Sequence, residues 1–172
     1  MKFLFAKIFF LFLIIGISNA SENIRFININ YIVNNSEVGK NLNKIIENKS
    51  KKITSELNNL GKEIENKKDK IISQKNVLNK DEYEKLVKTY DEEVKKYSNI
   101  RKKKNEEFND FRIRSQKKII QVLNPIITSF LKKESIQILL QKDKIIFGDE
   151  KLDITQEILK IFNDKYKKIK FD

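Results

Sequence analysis

Two kinds of residue cluster in this chain hold chemistry-capable groups. Adjacent carboxylates such as Asp91-Glu92 are the material of acid and base catalysis. The run Arg101-Lys102-Lys103-Lys104 could hold phosphate or another anion. Neither cluster has the companions a reaction needs. The 172 residues include no Cys and no His, which excludes a disulfide framework, a zinc site of Cys and His ligands, haem attachment and the Ser-His-Asp or Cys-His relays. Asp91-Glu92 falls on the exposed face of a helical stretch with no pocket in prospect. No catalytic residue, metal or cofactor is therefore expected, and an enzyme is not the reading.

The basic run is weighed the same way. Successive helical residues turn by about 100°, so four in a row cannot all face one ligand. A solvated basic stretch is the plainer reading. The sharper one is a phosphate site for lipopolysaccharide or anionic lipid, made by Arg101, Lys102, Lys103 and Lys104 with Arg112 and Arg114 from the following turns.

The elements that must position these groups begin after an address. Residues 1–20 carry Lys2 and Lys7, an unbroken run of ten apolar or Gly residues from Ile8 to Ile17, and small residues at Ser18 and Ala20. That is the pattern of a secretory signal peptide cleaved after Ala20. The run falls short of the roughly 20 apolar residues of a spanning helix. Removing it takes away two Lys, so a formal charge of +12 becomes +10 on the remaining 152 residues. Export points the basicity away from nucleic acid, toward lipid phosphate, lipopolysaccharide and acidic polypeptide.

Ile24 to Val33, rich in β-branched and aromatic residues, reads as a strand of four to eight residues, buried over Phe26 to Ile29. Asn34-Asn35-Ser36 ends it, and Ser36 can cap a helix, although Gly39 at the third position leaves the capping box incomplete. A heptad seam then runs through Ile46, Ser50, Ile53, Leu57, Leu60, Ile64, Lys67, Ile71, Gln74 and Leu78. A second runs through Tyr83, Val87, Tyr90, Val94, Tyr97, Arg101, Lys104, Phe108, Phe111 and Ser115. Each seam has seven apolar members of ten, and the break at Asn79-Lys80-Asp81 is short. Sustained 3.5-residue periodicity with so short a turn predicts an antiparallel coiled-coil pair. At about 1.5 Å per residue, arms of about forty residues extend roughly 60 Å, so the hairpin must project from a body. Residues 40–118 hold 23 basic and 14 acidic side chains, net +9.

Beyond Ile113 apolar density rises again, and Pro125, the only proline, predicts a kink or restart. Ser135–Leu140 and Lys144–Phe147 read as a β-hairpin about Gln141-Lys142-Asp143. Asp153-Ile154-Thr155 opens a last helix, with Asp153 or Thr155 as cap and Ile154, Ile158, Leu159 and Phe162 on one face. The expected fold is α+β and helix-dominated. Residues 21–35 and 119–172 would form a β-containing body, and 36–118 the arm. So small a body is marginal alone, and association through the strands and the last helix is the economical remedy.

The layout resembles that of the Skp/OmpH-like periplasmic chaperones. The resemblance rests on IRFININYIVNNSEVGK at Ile24–Lys40, the Asn124-Pro125-Ile126 return, the strand SIQILL and the Asp153-Ile154-Thr155 triplet, and it covers essentially 24–162. Asn28 and Gln141 depart from it where acids are common in the family. The resemblance implies a homotrimer with three arms around a cavity, acting without ATP to hold unfolded outer-membrane proteins in the periplasm. A holdase needs dispersed apolar contacts and long-range attraction. Val77, Leu78, Tyr83, Leu86 and Tyr90 near the arm tip are the candidates for client contact. Tyr83 and Tyr90 lie on the seam, where closing the coiled coil is the simpler role, whereas Val77 and Leu86 lie off it. The rival reading is a structural envelope coiled coil, tethered by an uncleaved N-terminus.

Overall fold

The computed structural model describes residues 23–171; the expected export signal lies outside them. The element order is strand β1 (Ile24–Ile27), helix α1 (Ile29–Asn35), helix α2 (Glu37–Gln74), helix α3 (Lys80–Lys133), strand β2 (Ile138–Gln141) and helix α4 (Thr155–Lys165). Short 3-10 turns occupy Lys142–Lys144 and Glu150–Leu152. Among the described residues the architecture is helix-dominated with one small pair of strands.

The first strand has four residues, the lower end of the expected length, and stops before Ile29. Asn28 stops it, because its side-chain oxygen accepts from the Tyr31 amide at 2.8 Å and caps α1. Ile29 to Val33 are thus helical despite their β-branched content, and Ile32 and Val33 are buried. Asn28 carries no charge yet provides the side-chain oxygen that this cap needs. Ser36 then caps α2 as expected, accepting from the Gly39 amide at 3.0 Å. Gly39 permits the sharp corner between α1 and α2: a Cβ there would stand 1.7 Å from the Val33 carbonyl oxygen.

Two further expectations meet the structure differently. Of the kink or restart expected at Pro125, the restart is absent: helix α3 continues from Lys80 to Lys133 with Pro125 inside it. Pro125 and Gln121, whose carbonyl loses its helical donor, are both exposed, so water can take that bond. The β-hairpin is also absent. Strand β2 pairs in parallel with β1, Ile24 opposite Ile138 through Ile27 opposite Gln141. Lys142–Lys144 turns tightly, and Ile146 and Phe147 are fully exposed rather than paired. The long-range edge of β1 therefore outcompetes the local partner. Its approach is set at the end of α3, where Ser135 takes a left-handed φ of 52° and the Ile136 amide reaches back to the Leu131 carbonyl at 2.9 Å.

The core joins Ile27, Ile32, Val38, Leu42, Phe111, Ile119, Leu123, Ile154, Ile158 and Phe162, among others. It includes the first turns of α2 and the stretch of α3 from Phe111. No apolar residue from 47 to 110 belongs to this core or packs against it, although Lys49 reaches over the Phe111 ring. Helix α4 presents Ile158 and Phe162 inward as expected and holds the start of α2 through Asn163, whose side chain accepts from the Glu37 amide at 2.9 Å.

A polar clasp ties both strands to α4. The Asn28 amide donates to the Thr155 hydroxyl at 2.8 Å, and Asp153 accepts from the Thr155 amide at 2.9 Å. The same carboxylate accepts from the Thr155 hydroxyl and pairs with Lys142 at 2.5 Å. Partial burial pushes the Asp153 carboxyl up, but the hydrogen bonds from Lys142 and Thr155 outweigh it and hold the group below its ordinary value.

Candidate functional site

The two long helices beyond the core are where the candidate contact residues lie. At about 1.5 Å per residue, the 38 residues of α2 and the 54 of α3 extend roughly 57 and 81 Å. The turn between them spans residues 75–79, and Asn79 caps α3 by accepting from the Glu82 amide at 3.0 Å. The seam positions Ile53, Leu57, Leu60, Ile64 and Ile71 of α2 are half-buried, as are Tyr83, Val87, Tyr90, Val94, Tyr97 and Phe108 of α3. Lys67 and Gln74 stay exposed. One seam member differs from expectation. Arg101 is exposed, and Ile100 takes its place, which keeps apolar surface on the inner side at the cost of one altered step.

Three links join the helices across the seam. The Tyr97 hydroxyl donates to the Leu57 carbonyl at 3.4 Å, with its ring tip over Gly61. Lys67 pairs with Glu93 at 2.6 Å and Lys104 with Glu56 at 2.5 Å. The hydrogen bond and charge of Lys104 hold the Glu56 carboxyl below its usual range. Polar seam positions thus meet opposite charges, which fixes axial register more than it adds stability.

The expected client-contact residues divide into two groups. Val77, 80% exposed, sits in the turn, and Leu86 is exposed on α3. Leu78, Tyr83 and Tyr90 are half-buried, with the two tyrosines in the seam. Leu86 and Tyr90 line, with Ile71, Thr89, Lys67 and Glu93, a shallow groove of about 310 Å³. Ile72, 58% exposed, is an apolar neighbour the periodicity passed over. Its signal was the Ile71-Ile72 doublet, since only one of two adjacent residues can lie in a helical seam.

The basic run does not converge. Lys104 turns inward to Glu56, while Lys102 and Lys103 each lie 3.9 Å from the acid four residues on, Glu106 and Glu107. Arg101 has no acid partner among the described residues. Arg112 follows it by eleven residues, about three turns, and so shares its side of α3. Arg114 faces elsewhere: with Lys117, Lys118, Gln121 and Phe171 it borders an open hollow of about 380 Å³. The six cations proposed as one phosphate site therefore spread around the helix.

Among the described residues no group of acids could hold a metal ion, and no helix is long and apolar enough to cross a membrane. The arrangement offers exposed apolar side chains, shallow grooves and many unpaired cations. Those features suit reversible, multi-point contact with flexible partners.

Comparison with known proteins agrees with this architecture. The family model for outer membrane protein (OmpH-like) matches residues 23–162. No curated protein matches the sequence. Among solved structures, a Caulobacter crescentus chain described as a candidate outer membrane chaperone (OmpH-like) superposes with a TM-score of 0.81. It is 17% identical, and the match covers 90% of this chain and 92% of that one. At that identity the likeness speaks for the fold.

Proposed function

The chain belongs to the OmpH-like outer membrane protein family, and from that premise we propose that it is an ATP-independent holdase of the periplasm. The family supports a chaperone role that involves no catalysis. In this reading α2 and α3 form an antiparallel coiled-coil arm that contacts unfolded outer-membrane proteins and delays their aggregation before membrane insertion. The single observation that carries the reading is apolar side chains left in water far from the core: Ile72, Val77 and Leu86. Buried packing would have hidden them, and a solvated spacer would have lacked them.

The body is the proposed site of self-association into a homotrimer. The outer edge of β2 has no strand beside it among the described residues, and Ile138, Leu140, Ile146 and Phe147 are exposed next to it. An uncovered apolar edge of this kind is a template for a second chain. Export through a signal peptide cleaved after Ala20 and an anionic-lipid or lipopolysaccharide role for Arg101, Lys102, Lys103, Lys104, Arg112 and Arg114 are further elements of the proposal. The dispersal of those six cations favours client contact over a headgroup site.

The test is dilution of a urea-unfolded outer-membrane barrel protein into buffer without ATP. Light scattering should stay low when the protein is in molar excess, and unchanged aggregation would sink the holdase reading. Mass in solution tests the assembly, since a monomer at working concentration removes the cavity.

A further inference from the structure

The charge of the long helices is not spread along them; it is segregated. Residues 40–62 of α2 and 94–118 of α3, the halves nearer the core, hold 16 basic and 5 acidic side chains, a net of +11. The distal stretch 63–93, which includes the turn, holds 7 basic and 9 acidic, a net of −2. The acids of the proximal half are largely engaged already: Glu47, Glu56, Glu106 and Glu107 each face a lysine. Exposed cations such as Lys40, Lys44, Lys52, Arg101, Arg112 and Lys117 have no acid within 4 Å among the described residues. The exposed large apolar side chains lean the other way: Ile72, Val77 and Leu86 lie in the distal stretch, against Ile113 in the proximal one.

We propose that the proximal half is an electrostatic docking surface for acidic stretches of unfolded polypeptide, while the distal half makes the apolar contacts. A client would then be held in one orientation, with its acidic segments nearest the body. This rests on the chaperone reading and adds to it the chemistry and placement of the partner. Two observations favour an acidic polypeptide over a lipid surface. A bilayer would meet the distal end first, and that end carries no positive excess. The proximal cations also fan around both helices over about 34 Å, at 1.5 Å for each of some 23 residues, rather than converging on one headgroup. A flexible polyanion can follow such a surface, whereas a single phosphate cannot use it. Cations spaced within a Debye length of about 8 Å reinforce one another's field at physiological salt.

The test uses the purified protein and two fluorescent, unstructured peptides, one of Glu, Ser and Gly and its counterpart with Gln for Glu. Anisotropy should show tighter binding of the Glu peptide, weakening with salt. The triple variant Lys52→Gln, Arg101→Gln, Arg112→Gln should lose about tenfold in affinity for it, at roughly half a kcal/mol per exposed contact. The control triple Lys68→Gln, Lys70→Gln, Lys75→Gln, equal in charge change, should lose less than about twofold. All six side chains are exposed, and circular dichroism verifies the fold of each variant. Equal losses would show that only net charge matters and overturn the proposal, as would no preference for Glu over Gln. Phosphatidylglycerol vesicles form the other arm: if the first triple weakens vesicle binding but not Glu-peptide binding, lipid phosphate is the partner and the proposal fails. Aggregation suppression is read separately with an uncharged client. Its absence in the parent protein would overturn the chaperone reading while leaving the docking surface standing.

Discussion

In the body, side chains vanish from solvent; along the stretches of the paired helices that lie beyond it none does. Ile27, Ile32, Val38, Leu42, Ile119, Leu123, Ile158 and Phe162 are almost wholly hidden, whereas no residue from 47 to 110 is more than half-buried. Both regions use the same aliphatic and aromatic residues, so composition does not separate them. Geometry does. Around the strands, four helices and a tail converge and bury each other's apolar faces. Beyond residue 47 each helix has one neighbour and a narrow stripe to share with it. The body is therefore fixed by packing, while the helices beyond it are held by a thin seam, a few exposed ion pairs and chain connectivity. Local opening costs least where buried contacts are fewest. A surface that must adapt to many partners is thus built on the least committed part of the chain.

Matched truncations test this contrast most strongly. Phe162→Ala, in the body and packed near Tyr166, should cost about 3–5 kcal/mol and lower the denaturation midpoint sharply. Leu60→Ala, in the seam, should cost about 1 kcal/mol, because a half-buried side chain has less transfer free energy to lose. Urea unfolding of both variants measures the difference, and equal losses would erase the distinction between the regions. Gly39→Ala comes next. Its Cβ would collide with the Val33 carbonyl oxygen at 1.7 Å, so the α1–α2 corner must shift, at a cost of about 2–3 kcal/mol.

Asp153 gives the body a pH signature set in a partly buried clasp, whereas the lowered carboxyl of the seam, Glu56, is more exposed. The Asp153 carboxyl titrates lower in the folded protein than in the unfolded chain, so the clasp contributes above the unfolded carboxylate range, near pH 4. That contribution fades as pH falls through the lowered folded value. Asp153→Asn should cost about 1 kcal/mol at neutral pH after solvent screening, since the hydrogen bond from the Thr155 amide survives but the Lys142 pair does not. It should also flatten the acid limb of a stability profile, and an unchanged limb would locate the acid sensitivity elsewhere.

Periodicity made the helices and the seam legible, because spacing of four and three constrains which side chains can meet. Where the strand ends was not legible from propensity. Ile29, Ile32 and Val33 argue for extended chain, and only the cap geometry of Asn28 reverses them. The partner of β2 was equally hidden, since the choice between a local hairpin and the edge of β1 is made by contacts more than a hundred residues away. Pro125 was read by its local cost, which exposure relieves. At the candidate surface, Val77 and Leu86 stood out by lying off the seam, while Ile72 was masked by its seam neighbour. The pairing of Lys102 with Glu106 and Lys103 with Glu107 was present in the i, i+4 spacing and already argued against a single phosphate site.

A smaller effect tests the turn from α3 into β2, inside the body. Ser135 holds a left-handed conformation that glycine adopts without steric cost. Ser135→Gly should therefore stabilise the end of α3 by about 0.5 kcal/mol, part of the gain being offset by the freer unfolded chain. Thermal unfolding reads this as a small upward shift; a loss would mean that the serine side chain contributes more than its backbone strain costs.

The smallest stability effect belongs at the tip, where the comparison becomes one between stability and work. Ile72→Ser and Val77→Ser remove exposed methyl groups that touch almost nothing, so each should change stability by less than about 0.5 kcal/mol. If these side chains face clients, the double variant should keep the midpoint of the parent and yet suppress aggregation less well. Loss of both stability and suppression would mean that the tip residues pack in the assembled protein. Retention of both would move the apolar contact surface to the groove lined by Ile71, Leu86 and Tyr90. Only the first pattern separates a side chain kept for partners from one kept for the fold, and exposure so far from the core makes it the expected one.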